Sequence, residues 1–337
     1  MLLEENLRHI KLGDAPAHLR FPHSTTKFRN VVLHGKRSGT AFISTTVEDG
    51  QSTVSIHQDG GSRGQPKRAS ASRAPATVVS TVTSNDDPTI LAARREMQSW
   101  RRLALEPSAL RTADRYVDDR MMDVNGRHLA AALFRVANRV ELSEYAADPE
   151  AAYARVAGRL ADLAGIHVRD LRIDQDDVRE LLTIQLVESS GLALPARSLS
   201  EGTLRFLALC VLLEDSTVTG IICMEEPENG IHPANVDAMV QLVRDLAVDP
   251  QEAPGEDNPF RQVVINTHSP AIVQLVDPND LLFADTTIRK APDGEQAHAL
   301  RLRPLAGTWR ARHGETASVT RADILPYLTS HPDARLR

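Results

Sequence analysis

Gly220-Ile221-Ile222-Cys223-Met224-Glu225-Glu226-Pro227 stands between two other short segments, Leu199-Ser200-Glu201-Gly202-Thr203 before it and Val263-Val264-Ile265-Asn266-Thr267-His268-Ser269-Pro270 after it. Ile221 to Met224 is a continuous apolar run, which predicts a strand buried on both faces of a parallel sheet. Two carboxylates follow at its carboxyl end, where open α/β sheets bind ligands. Glu225 is suited to hold a hard cation such as Mg²⁺ through oxygen. Glu226 is then placed to position or deprotonate a water. A bare Glu-Glu-Pro is more often a solvated acidic turn, and the flanking segments are what shift the reading.

The run Val263 to Asn266 predicts a second strand, with His268 just past its end. A histidine there can hydrogen-bond a phosphate oxygen or a water; the blander role is a bond to a nearby carbonyl. Ser269-Pro270 makes a good helix start. In the first segment Ser200 is a good helix N-cap, and Gly202 lets another backbone approach closely. The helix that follows carries free N–H groups and positive partial charge at its start, which suits phosphate. Leu204, Leu207, Ala208, Val211 and Leu212 give that helix a buried face, as any capped core helix would have.

Taken together, these segments resemble the C-terminal half of an ABC-type ATPase head of the RecF/SMC-like kind. The nearest pattern is a group of AAA-family ATPases carrying "LS-acidic-GT-LRFLAL", "EEPENGIHP" and "THSP". The resemblance implies a P-loop NTPase fold, with a mainly parallel core sheet, an antiparallel side sheet and a helical insertion. It implies ATP and Mg²⁺ as ligands. Glu225 would serve Mg²⁺ as the Walker B acid, Glu226 would be the catalytic glutamate, and His268 the switch histidine. Ser200, Glu201, Gly202 and Thr203 would form the signature that meets nucleotide on the other subunit, and Asn229 would lie in the D-loop. Two positions depart from the wider ABC pattern: Glu201 replaces a glycine and Glu225 an aspartate. Both departures occur in the AAA-family group.

The sequence contains no G-x-x-x-x-G-K-[ST]. That pattern surrounds phosphates with glycine N–H groups and brings a lysine to them. The single Gly-Lys is Gly35-Lys36, where Asn30 replaces the upstream glycine and Arg37 the Ser/Thr. In the resembling family the P-loop precedes the segment matching residues 1 to 12, so the expectation is a chain truncated at its start. The implied function is ATP binding and hydrolysis by a head-to-head, ATP-sandwiched homodimer. The alternative is an inactive remnant, or a binding partner that lends its signature to an intact head.

Elsewhere the pattern is coarser. Leu2, Leu3, Leu7, Ile10 and Leu12 predict a helix ending at Gly13. Residues 40–47 and 52–57 predict a hairpin. Residues 59–76 read as a basic, low-complexity surface loop, with contact to nucleic-acid phosphates as the sharper reading. Residues 88–105 predict a helix with Trp100 in the core. Residues 127–139 and 149–164 predict helices capped by Asn125 and Asp148, forming an arm or lid. Residues 168–173 and 182–187 predict strands, and 281–284 a core strand paired with 299–302. The expected organisation is an N-terminal lobe over 1–87, a helical insertion over 88–165, a C-terminal ATPase lobe over 166–303 and a polar tail over 304–337.

Composition sets the remaining bounds. Of the 337 residues 42% are hydrophobic and 25% charged, and the net charge of −6 argues against overall electrostatic attraction to nucleic acid. A local basic patch, and hence DNA or a partner effector protein, stays open. DNA maintenance and anti-phage defence enter only through the family. Cys210 and Cys223 sit in apolar contexts, as buried free thiols would. No apolar run reaches membrane-spanning length and no signal-peptide pattern opens the chain, so the expectation is a soluble, cytoplasmic protein without a membrane partner.

Overall fold

The computed structural model describes residues 4–33, 41–48, 51–57, 59, 65–71, 76–83, 85–139, 148–164, 168–290, 296–314 and 317–329. Gly35-Lys36, the tips of both expected hairpins, parts of the basic loop and the last eight residues lie outside them. The chain divides into two compact units. One comprises residues 1–100 with 250–254, and the other 101–249 with 255–337.

The first unit carries helices α1 (Ala15–His18) and α2 (Phe28–Val32), strands β1 (Ile43–Glu48), β2 (Gln51–Ile56) and β3 (Lys67–Ser70), and helices α3 (Val78–Thr81) and α4 (Pro88–Ser99). The three strands form one antiparallel sheet in sequence order. Its inner face buries Phe42, Ile43 and Val54 against Val78, Val79 and Ile90. Three expectations are corrected here. Residues 4–11 are not helical: Leu7 bridges Ile43 in antiparallel fashion, because its side chain finds the sheet's apolar face. Part of the basic loop is strand β3, whose exposed Lys67 and Arg68 lie on the sheet edge, where charge discourages further pairing. Helix α4 stops at Ser99, and Trp100 is 49% exposed rather than in the core.

The second unit begins with β4 (Arg101–Leu103), α5 (Pro107–Leu110), β5 (Asp114–Arg115), α6 (Leu129–Ala137) and α7 (Pro149–Ala164). Strands β6 (Val168–Asp176), β7 (Leu181–Glu188) and β8 (Ala193–Pro195) follow, then α8 (Glu201–Glu214) and β9 (Gly220–Glu225). The chain continues with α9 (Val236–Leu246), β10 (Arg261–Asn266), α10 (Pro270–Leu275), β11 (Leu282–Lys290), β12 (Gln296–Pro304), α11 (Trp309–His313) and α12 (Arg321–Thr329). The α/β organisation expected from the sequence is present: a parallel sheet in the order β10-β9-β4, and antiparallel pairings of β7 with β5, β6 and β8. A segment expected to continue a helix supplies β4, which pairs with β9.

Helix α8 is the hub of the core. Thr203, Leu204 and every residue from Phe206 to Leu212 are buried, so the helix is covered on all sides rather than on one face. Each fully buried Leu or Phe there contributes roughly 1.5–3 kcal/mol. Its neighbours in the same cluster include Leu133 of α6, Leu160 of α7 and Leu242 of α9. Helix α6 is capped differently from expectation. Asn125 Oδ1 accepts from the Arg127 N–H, and the buried Asp114 Oδ2 accepts from the Ala131 N–H at 2.9 Å. Asp148 does cap α7, through the Ala151 N–H.

Arg261, at the head of β10, is 1% exposed. Its guanidinium donates to the carbonyls of Leu212, Asp215 and Val218. It thereby satisfies the end of α8 and the turn into β9. Burial lowers its pKa, against the opposing pull of Asp215. Strands β11 and β12 pair as expected, with Ala284 opposite Leu302. They form their own two-stranded ribbon rather than a core strand, and Leu282, Leu300 and Leu302 are exposed. The segment read as a polar tail buries Leu305, Val319 and Ile324 in a small cluster with Phe283. Both cysteines are free. Cys210 is buried and its thiol is pushed up to about 12 by that burial; Cys223 is half-buried.

Candidate functional site

Strands β9 and β10 run parallel with Asn266 opposite Glu225, and β4 flanks β9 on its other side with Leu103 opposite Met224. The carboxyl ends of all three strands therefore open together, as ligand sites in α/β sheets require. A cavity of about 430 Å³ lies there, lined by Leu103, Glu106, Arg205, Glu225, Glu226 and Asn229 among others.

Glu225 ends β9 as an exposed carboxylate, with the exposed Arg102 guanidinium 3.8 Å away. Two solvated charges at that distance attract weakly, so the carboxylate is available to a cation. Among the described residues a trio of close metal-ligand side chains occurs elsewhere, at Asp114, Asp118 and His128. There Asp114 is engaged by Ala131 and by His128 at 3.1 Å, which is a helix cap. The single carboxylate of Glu225 fits Mg²⁺, which keeps several waters and shares its remaining positions with phosphates.

Glu226 has a φ of +44°, a conformation that costs a non-glycine residue about 1–3 kcal/mol and persists only where the surroundings enforce it. The enforcement is visible. Its N–H donates to the Asn266 carbonyl at 3.0 Å and lies 3.2 Å from Asn266 Oδ1. Asn229 closes the turn, its N–H donating to the Glu226 carbonyl at 3.0 Å and its Nδ2 to Glu226 Oε2 at 2.6 Å. The Glu226 carboxylate is thus oriented by Asn229, leaving its other oxygen to accept from a water or ligand.

The start of α8 meets this loop through glycine. Ser200 Oγ accepts from the Thr203 N–H at 3.1 Å and lies 2.7 Å from the Thr203 hydroxyl. A Cβ on Gly202 would stand 3.4 Å from the Gly230 carbonyl, so the backbone that approaches Gly202 within this chain is that of the β9 loop. Glu201 receives Nε and Nη2 of Arg205 on one oxygen, at 3.2 and 2.8 Å. Arg205 also lines the cavity, where it supplies a cation beside the acidic Glu225 and Glu226 of the same lining.

Of the residues singled out from the sequence, the structure brings Glu225, Glu226 and Asn229 to the cavity, and joins Glu201 to it through Arg205. Ser200, Gly202, Thr203 and His268 are not among its lining residues. His268 is exposed just past β10. Sequence reasoning passed over Arg205, Asn266 and Glu228. The Glu201–Arg205 pair was readable from its i, i+4 spacing, whereas Asn266 and Glu228 depend on the juxtaposition of two strand ends.

Among solved structures, the chain is similar to three SMC head domains. For a Pyrococcus yayanosii head with coiled coil and joint the identity is 12%, covering 45% of this chain and 27% of that one, with a TM-score of 0.28. A Pyrococcus furiosus head bound to the C-terminal domain of ScpA gives 10%, 46%, 36% and 0.28 for the same quantities. A Thermotoga maritima head gives 10%, 78%, 74% and 0.27. TM-scores this low carry nothing about substrate, partner or activity. No curated protein matches the chain. The family model AAA_21, an AAA domain of the AbiEii toxin-like, type IV TA system kind, matches residues 53–274. That match includes β4, α8, β9 and most of the loops around the cavity, and it shows that the chain belongs to this family of AAA-type ATPase domains.

Proposed function

We propose that the chain binds ATP with Mg²⁺ at the carboxyl end of the β10-β9-β4 sheet and hydrolyses it as one head of an ATP-sandwiched homodimer. The observation that carries this reading is the pair Glu225–Glu226 at the end of the central strand, with the second carboxylate held by Asn229. Glu225 would hold Mg²⁺, which when bound would supply charge neutralisation at the phosphates. Glu226 orients the attacking water and takes its proton. Ser200, Glu201, Gly202 and Thr203, away from the cavity of their own chain, meet the nucleotide of the partner head, and His268 contacts its terminal phosphate. The family's type IV TA description supports a defence role, which would make an effector protein the further partner.

Phosphate release by the full chain with MgATP tests the reading. Glu226→Gln should lower turnover by about 10²-fold or more, the range a general base supplies, while nucleotide stays bound. Glu225→Gln should instead weaken the Mg²⁺-dependent part of binding. Turnover of Glu226→Gln at the wild-type rate removes Glu226 from the role.

A second reading rests on the missing G-x-x-x-x-G-K-[ST] pattern. Here the chain is catalytically silent by itself and lends Ser200–Thr203 to a head that carries a P-loop. Calorimetric titration with MgATP separates the two: tight binding by the chain alone favours the first, and weak binding the second.

A further inference from the structure

Glu228 is not part of the cavity lining, and its surroundings are unusual for a carboxylate beside an acidic pair. One oxygen, Oε1, accepts a hydrogen bond from the Thr267 hydroxyl. The other, Oε2, is buried and has no partner among the described residues. An acceptor buried without a donor destabilises the fold, so stability alone does not account for a glutamate here. The Thr267 hydroxyl, while donating to Glu228, accepts the Ser269 N–H at 2.9 Å. His268 lies between the two residues so tied, with its own side chain exposed. The main chain of Glu228 belongs to the turn that carries Glu226 and Asn229, and its carbonyl accepts the Ile231 N–H at 3.0 Å.

We propose that Glu228 is a positioning residue, a latch that ties the loop after β9 to the loop after β10 and so fixes His268 relative to Glu226. The two strand ends are already in register through Asn266 and Glu225. One further backbone bond, from the Glu226 N–H to the Asn266 carbonyl, joins the loop after β9 to the end of β10, and Glu228 and Thr267 lie past it. The carboxylate–hydroxyl bond joins these two residues. A carboxylate acceptor strengthens such a bond, and partial burial limits competition from water. Asparagine or aspartate at 228 would be one methylene too short to reach Thr267 from the same backbone.

The consequence for hydrolysis rests on the reading above, so the test uses no nucleotide. The full chain is labelled with ¹³C in its histidine rings, and the His268 signal is assigned by its loss in His268→Gln. Thr267→Val removes the hydroxyl at nearly constant volume, Glu228→Ala removes the acceptor, and Glu228→Gln keeps a carbonyl oxygen at the same reach. The proposal expects Thr267→Val and Glu228→Ala to displace the His268 signal to the same position, the double variant to move it no further, and Glu228→Gln to restore the wild-type position. An unmoved His268 signal in the first two variants overturns the latch. So does a double variant whose displacement is the sum of the singles, because the two side chains would then act separately. If Glu228→Ala does not fold, Thr267→Val and Glu228→Gln decide the matter by the same criteria. Absence of ATP turnover in the wild-type chain would count against the hydrolytic reading and leave the latch standing; an unmoved His268 signal would do the reverse.

Discussion

Asn229 Nδ2 donates to Glu226 Oε2 across 2.6 Å, three residues apart in a turn whose first residue is forced to a positive φ. The bond uses one carboxylate oxygen and leaves the other to the cavity. It also explains why the turn holds a glutamate in a conformation that glycine would adopt without cost. The Asn266 carbonyl and Asn229 together hold the Glu226 backbone and side chain where an unconstrained acidic turn would not.

Asn229→Ala therefore frees the Glu226 carboxylate to rotate while leaving Glu225 intact. Turnover should fall about tenfold to a hundredfold, the order that misplacement of a reacting group costs, with nucleotide affinity nearly unchanged. Steady-state kinetics of phosphate release beside calorimetric binding checks this. Equal losses in both measurements would mean that Asn229 contacts nucleotide directly instead of orienting Glu226.

Much of this arrangement was legible in the residues. The apolar run Ile221–Met224 and the similar run Val263–Asn266 mark adjacent parallel strands, although burial on both faces is not what the structure shows: β9 alternates buried with half-buried residues and β10 leaves Val264 48% exposed. Ser200 and Gly202 mark the start of α8 by capping chemistry and by lack of a Cβ. The strand at Arg101–Leu103 was hidden, since three residues carry no period and the preceding helical pattern ran into them. Trp100 was misplaced for a related reason: its size suggests burial, but α4 ends one residue before it and turns it outward. Leu7 was assigned to a helix from its spacing, while the sheet face at Ile43 competed for it and won. Glu228 and Asn266 could not be found from sequence, because what joins them to the site is contact between loops about forty positions apart.

Arg261 gives a prediction about stability. Its three guanidinium bonds go to the carbonyls of Leu212, Asp215 and Val218, the first two of which also accept the N–H groups of Asp215 and Val218, and it is almost fully buried. Arg261→Ala removes three buried bonds and leaves a cavity, and should cost about 3 kcal/mol or more. Arg261→Lys should recover little of this, because an ammonium cannot reproduce a planar fork of donors. Urea unfolding of both variants is the check, and a lysine variant as stable as wild type would contradict the fork argument.

The β11–β12 ribbon supplies a pH signature. Arg301 donates to both oxygens of Asp285, at 2.8 and 2.7 Å. This pair, helped by Arg303, holds the carboxyl down from the ordinary 3.8 to about 2. A folded-state value below the unfolded one means stability that is present above the ordinary value and lost as pH falls through the folded value. Asp285→Asn has no charge to lose. The stability difference between wild type and Asp285→Asn should thus be constant from neutral pH to about 4.5 and shrink as pH falls toward 2. Thermal melts at a series of pH values would show it, and a gap that widens with acid would contradict the assignment.

Gly230 joins the strain of the β9 loop to the start of α8. Its φ is +79°, and a Cβ there would stand 2.9 Å from Glu201 Oε1. Two separate penalties follow for Gly230→Ala. The backbone term belongs to the left-handed conformation and is on the order of 1 kcal/mol or more. The steric term is smaller, because the Cβ meets the end of the Glu201 side chain, which is held in place only by its bonds from Arg205. Glu201→Ala alone should cost only about 0.2–0.5 kcal/mol, the value of an i, i+4 pair. The double variant should be more stable than the sum of the two losses predicts, because removing the carboxylate removes the clash, but the backbone term should remain. Gly202→Ala is the control. Its added Cβ would meet the Gly230 carbonyl at 3.4 Å, with no positive φ to oppose it, so its effect should be much smaller. Chemical unfolding of the four variants decides the matter. Strict additivity of Gly230→Ala and Glu201→Ala would show that the added Cβ and the Glu201 carboxylate do not meet in the variant, and would remove the steric term.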